Sequence, residues 1–119
     1  MTEQAIDQFH ERFNSERYQD IYNDAYEAFK RSQNQVDLLN TIKQTYERFG
    51  RMEQVSEKWI NVIIGAPIQI RALYNTKFAK SDATEMFIFI KEGDTVKLAQ
   101  YQIYPGTVKP DAGQASKPQ

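Results

Sequence analysis

The side chains best placed for acid–base chemistry are two glutamates, Glu57 and Glu85, each inside a stretch that alternates apolar and polar residues. A carboxyl group aimed into an apolar pocket has its pKa raised toward the range a general acid or base needs. A nearby tyrosine would supply a hydrogen-bond donor. The same alternation also fits a plainer arrangement, a cross-strand ion ladder with Arg71, Lys77 and Lys97 on a solvent face. Ionised side chains are seldom fully buried, so the ladder is the favoured reading and no catalytic residue is assigned. His10, the single histidine, lies between Asp7 and Glu11 and reads as an exposed helix residue with no positioned nucleophile beside it. One histidine and no cysteine leave only oxygen ligands for a metal, and no loop has the acidic spacing of a calcium site. No metal or cofactor is expected.

A second group of residues suits binding rather than reaction. The chain holds seven tyrosines, seven phenylalanines and one tryptophan. Tyrosine and tryptophan join a large apolar surface to a hydrogen-bonding tip, which serves pockets and interfaces alike. Trp59, Tyr74, Tyr101, Tyr22 and Tyr26 are the candidate ligand-binding residues, within a wider set that includes Tyr18 and Tyr104. Ordinary core is the competing reading, and the stronger one for residues on helix stripes. Trp59 stands apart, because it precedes a β-branched run in a first strand expected near a sheet edge. No phosphate loop, nucleophile elbow or dinucleotide fingerprint is present.

The elements that must hold these residues follow from the spacing of apolar side chains. Ile6, Phe9 and Phe13 predict a short amphipathic helix over residues 3–14, with Thr2 as its cap. Tyr18, Ile21, Tyr22, Ala25, Tyr26 and Phe29 predict a second helix with a wide aromatic face. Ser32-Gln33-Asn34 breaks the pattern and offers a cap. Val36, Leu39, Ile42, Tyr46 and Phe49 then mark a third helix that Gly50 closes. From Met52 the period becomes two. Strands are expected over Val55–Ile64, Ile68–Phe78, a segment around Met86–Ile90 that is apolar on both faces and therefore central, and Thr95–Tyr104. Glu92-Gly93-Asp94 is a hairpin turn. The last strand changes its apolar register between Leu98 and Tyr101, the mark of a bulge or of a strand leaving the core.

At 119 residues the chain has room for one domain, expected over residues 1–106, with a disordered polar tail over 107–119. Its apolar content of 40% is that of a packed globule. The net charge is −1, and the basic residues are not clustered, which disfavours nucleic acid as a partner. Met-Thr-Glu-Gln-Ala at the N-terminus lacks the basic-then-apolar pattern of a signal peptide, and no apolar run is long enough to span a membrane.

Several segments together resemble a known group. They are Phe49-Gly50-Arg51-Met52-Glu53-Gln54-Val55, the Tyr-x-Thr-x-Phe strand within Ile70–Phe78, Thr84–Gly93, and Val96-Lys97-Leu98-Ala99-Gln100-Tyr101. The chain is similar to small bacterial domains of unknown function in the cystatin-like/NTF2-like group over about residues 10–104. Phe49 stands where those domains have Leu, and Gln100 stands where they have Gly. The resemblance implies an α+β fold in which N-terminal helices pack against a curved antiparallel β-meander of about four strands, curled around the longest helix. It also implies that many relatives are exported or lipid-anchored, so the bacterial periplasm or envelope is the expected location if a signal was removed, and the cytoplasm otherwise. The residues favour a non-enzymatic binding or interaction domain for a small apolar ligand or a protein partner, acting through the open sheet face or a shallow aromatic pocket. The alternative is a small-substrate enzyme with Glu57 or Glu85 as base and a tyrosine as donor. A homodimer packed sheet to sheet is a third reading.

Overall fold

The change of period at Met52 divides the molecule as the sequence predicts, with helices before it and strands after. The computed structural model describes residues 2–32 and 35–107. Gln33 and Asn34 of the expected break, and all of the expected tail except Thr107, lie outside the described residues. The elements run α1 (Thr2–Asn14), α2 (Tyr18–Asn23), α3 (Glu27–Ser32), α4 (Gln35–Phe49), β1 (Met52–Ile63), β2 (Gln69–Phe78), β3 (Asp82–Glu92) and β4 (Thr95–Pro105). The strands form one antiparallel meander in the order β1-β2-β3-β4. This is the α+β architecture expected.

The helices differ from expectation in two respects. The stretch from Tyr18 to Phe29, expected as one helix, is two. Asp24 and Ala25 still donate back to the carbonyls of Asp20 and Tyr22, but the Tyr26 N–H turns away to the Leu98 carbonyl on β4, 2.8 Å distant. A bulge shapes β4 there: Ile88 faces Gln100 and Phe89 faces Leu98, so Ala99 is the extra residue. This is the register change visible in the sequence.

The second difference is which helix lies on the sheet. α4 is the longest, yet α1 crosses the sheet's inner face. Phe9 of α1 packs its ring against Phe87 (5.2 Å) and Tyr101 (4.6 Å), and Phe13 packs against Phe78 (5.8 Å). The short helix carries the denser apolar stripe, with Ile6, Phe9, His10 and Phe13 all buried. In α4 the buried side is Leu38, Ile42, Thr45 and Phe49, so the stripe turns to Leu38 in place of the expected Leu39. Phe49 reaches the sheet at Phe78, 5.6 Å away.

Gly50 ends α4 with φ +85, and its N–H closes on the Tyr46 carbonyl. A Cβ there would meet the Ala79 Cβ at 3.1 Å. Only glycine holds that backbone without strain. Asn14, the last residue of α1, then anchors the first strand. Its side-chain amide donates to the Met52 carbonyl (3.0 Å) and accepts from the Met52 N–H (2.8 Å), imitating a neighbouring strand at the start of β1.

Candidate functional site

Alternation along β2 and β3 decides what the core contains. Ile70, Ala72, Tyr74, Thr76 and Phe78 of β2 face the helices, as do Ala83, Glu85, Phe87 and Phe89 of β3. Glu85 thus shares the inner face with Phe87 and is fully enclosed, at 0% exposure. Its position opposite Tyr74, and Thr76 two residues further along β2, are fixed by the same register. From α1, His10 falls one helical turn from Ile6 and Phe13 and enters this space at 2% exposure.

Both expectations for these residues are corrected. His10 is not an exposed helix histidine, and Glu85 is not part of a solvent-facing ladder. The His10 Nε2 donates to Glu85 Oε1 at 2.7 Å, and the Thr76 hydroxyl donates to the same oxygen at 2.8 Å. The Tyr101 hydroxyl donates to Oε2 at 2.7 Å. Four elements, α1, β2, β3 and β4, therefore meet on one carboxylate. Burial, with the adjoining Glu85 charge and hydrogen bond, pushes the Tyr101 hydroxyl well above its ordinary pKa. Burial raises Tyr74 to about 12, with Glu3, Asp7 and Glu85 adding to the shift. Both oxygens of Glu85 are thus engaged by protein donors. Among the described residues, no buried side-chain nitrogen or oxygen lacks a hydrogen-bond partner.

Glu57 differs in its exposure. It is exposed on β1 and faces Asn75 across the sheet, whose side-chain amide donates to it at 3.2 Å. No group of three or more histidine, cysteine or acidic side chains suited to a metal occurs among the described residues.

The five candidate aromatic residues lie in three separate places. Tyr74 and Tyr101 line the inner face around Glu85. Tyr22 packs at the edge of the core on α2, with the Lys30 ammonium 6.0 Å from its ring centre, and Tyr26 marks the break between α2 and α3. Trp59 is half-buried on β1, opposite Leu73 on the outer face. A small recess between α1 and β4 is bordered by Phe9, Ile21, Phe89 and Leu98 and by none of these five, whereas one between α1 and β1 is bordered by Tyr74 with Glu3, Asp7, Glu57 and Lys58.

The second half of β1 carries a feature that alternation alone does not reveal. Ile60 and Val62 face the same side as Ala72 and Ile70, yet are 40% and 52% exposed. Ile63, on the outer face, is 38% exposed, and Ile64 just beyond the strand is 80% exposed. α1 meets β1 at the ion pair of Glu3 with Lys58, 2.6 Å long, and the rows past Lys58 emerge from beneath the helix. β1 is also a sheet edge. Four large aliphatic side chains exposed on both faces of an edge that is unpaired among the described residues are the surface signature of an interaction site. The sequence shows the β-branched run itself; it does not show that the helix stops short of it.

No helix among the described residues is long and apolar enough to cross a membrane. No protein-family model matches the chain, and no curated protein is similar to it. Among solved structures it is similar to Bd1075 of Bdellovibrio bacteriovorus, at 19% identity and a TM-score of 0.49, over 89% of this chain and 41% of that one.

Proposed function

We propose that this protein is a non-enzymatic interaction domain whose contact surface is the free end of β1. The observation that carries this reading is the exposure of Ile60, Val62, Ile63 and Ile64 on an edge strand. Transfer of such side chains from water into an interface is favourable by roughly 25 cal/mol per Å² of apolar surface. We also propose membership of the cystatin-like/NTF2-like group, supported by the order of helices then meander and by helices on one sheet face.

The enzymatic alternative draws support from the contact between Glu85 and Tyr101. Against it stand the complete burial of Glu85 and the three donors already on its carboxylate. A base needs open access to the proton it removes. The interaction reading is tested by placing a photo-crosslinking residue at Val62 or Ile64 in the cell that makes the protein, with Gln44 on α4 as the control. Crosslinks to a polypeptide from Val62 and Ile64 but not from Gln44 are expected. Equal labelling from all three positions, or none, overturns the reading.

A further inference from the structure

The edge of β1 is guarded along one half and bare along the other. Over its first half, two register irregularities, between Met52 and Gln54 and between Val55 and Glu57, disturb the strand, and Glu53, Glu57 and Lys58 place charges on it. Asn14 clasps its first residue. These are the devices by which edge strands avoid pairing. On the opposite edge of the sheet, β4 is engaged by the Tyr26 N–H. From Trp59 to Ile64 the β1 edge reads Trp-Ile-Asn-Val-Ile-Ile, without a charge, a proline or a bulge.

We infer, building on the interaction reading above, that this half-edge pairs with the same segment of a second copy of the chain, antiparallel about a two-fold axis at Asn61. In that register Ile60 stands opposite Val62 of the other copy, and Trp59 stands opposite Ile63. Ile60 and Val62 both face the helix side, while Trp59 and Ile63 both face the outer side, so these four apolar side chains meet one another across the seam. Lys58 falls opposite Ile64 and Glu57 opposite Gly65, so no like charges confront each other. Shifting the register by one residue sets helix-facing side chains against outward-facing ones, which the pleat forbids. Moving the axis to Ile60 sets Lys58 against Val62, Glu57 against Ile63 and Trp59 against Asn61, which leaves only Ile60 opposite an apolar residue. The two-fold arrangement closes on itself and consumes both bare edges.

The four exposed aliphatic residues present on the order of 400 Å² per copy, so the pair buries at most about 800 Å² of it, half of the roughly 1,600 Å² of a standard stable complex. The dimer is therefore a weak, reversible one. The area and the absence of any charge to be matched both fit a second copy better than a larger or charged partner.

The natural absence of cysteine makes the test direct, because Asn61→Cys introduces a single thiol that lies beside its own copy at the axis. Under mild oxidation of the purified full chain, Asn61→Cys is expected to form a disulfide-linked dimer at least tenfold faster than Gln54→Cys, an exposed position on the guarded half of the same strand, and adding Val62→Lys should abolish that advantage. Sedimentation across concentration should show self-association that Val62→Lys removes and Tyr104→Ser, at the far edge, leaves intact. A chain that stays monomeric near millimolar concentration, with no preferential linkage at position 61, overturns the inference. If crosslinks from Val62 to a different polypeptide persist in that case, the interaction reading survives alone; if they are absent too, both fall.

Discussion

Replacing Glu85 with glutamine keeps the shape of the side chain and removes the charge on which α1, β2, β3 and β4 converge. The wild-type carboxylate accepts from His10, Thr76 and Tyr101. Hydrogen bonds to a charged group contribute about 1.5–3 kcal/mol each, against about 0.5–1.5 for neutral pairs, so neutralising the acceptor weakens each bond by about 1 kcal/mol. The amide also presents an NH₂ where one oxygen stood, and the hydroxyl or the ring nitrogen facing it must reorient. Glu85→Gln should therefore destabilise the fold by about 3 kcal/mol, a large share of the roughly 5–15 kcal/mol that holds a domain of this size. In urea the midpoint should fall with an unchanged slope. The thermal midpoint should fall by roughly 10–15 °C. Glu85→Ala would leave three buried donors without an acceptor and is expected not to fold, so glutamine is the informative change. A double-mutant cycle with Tyr101→Phe should give a coupling of about 1 kcal/mol, since both changes remove part of one network. Desolvation works in the other direction and can cancel the gain from a buried charge. If Glu85→Gln lies within about 0.5 kcal/mol of wild type, desolvation has cancelled the bonds and the network is not what joins the helix to the sheet.

The tyrosines give the pH dependence: Tyr18 and Tyr74 are raised to about 12, chiefly by burial, and Tyr101 well above its ordinary value. A group whose folded pKa is raised contributes fully below its unfolded value near 10, so this stability is lost as pH rises from about 10 through 12. Absorbance titration should show these three ionising late, together with alkaline unfolding; ionisation of all seven near pH 10 in folded protein would refute it. Gly50→Ala should cost about 1–3 kcal/mol by denaturant unfolding, because φ +85 and the 3.1 Å approach to the Ala79 Cβ both resist a side chain. Asn14→Ala should cost about 1–2 kcal/mol through its two bonds to Met52, and hydrogen exchange should quicken first at the start of β1. Val62→Lys should leave stability within about 0.5 kcal/mol, as its side chain is already half in water.

Much of this molecule is legible from spacing, and the residues that escape notice do so for identifiable reasons. The period of two fixes the meander, and the Leu98-to-Tyr101 irregularity announces the bulge at Ala99. The break at Tyr26 depends on the Leu98 carbonyl, 72 residues later, a contact no local pattern contains. The sequence favours solvent-facing positions for His10 and Glu85 because charged and polar residues are usually exposed. Yet both occupy inward positions: Ile6, Phe9, His10 and Phe13 follow three-four spacing, and Ala83, Glu85, Phe87 and Phe89 follow two. Position outweighs residue type here, because each polar group meets its complement inside. A polar residue on an apolar stripe predicts a second such residue on the element packed against it.

The same reasoning separates the two unusual regions of the protein. Around Glu85 every donor has an acceptor and the surrounding rings exclude water, so the polar cluster is closed chemically as well as sterically. Such a cluster specifies how α1 seats on the sheet, because sliding the helix by one turn would separate His10 from its acceptor and strand a buried charge. At the other end of β1 the situation is reversed: the backbone edge is unpaired and the side chains are apolar and wet. Fixing α1 by the His10–Glu85 bond also fixes where its cover of β1 ends, at the Glu3–Lys58 pair. The buried network thereby determines which residues of β1 remain uncovered. Loosening α1 by Glu85→Gln should consequently change the reactivity of a thiol at position 61 as well as the stability of the fold, whereas Asn14→Ala, which acts at the guarded end of the strand, should leave that reactivity unchanged.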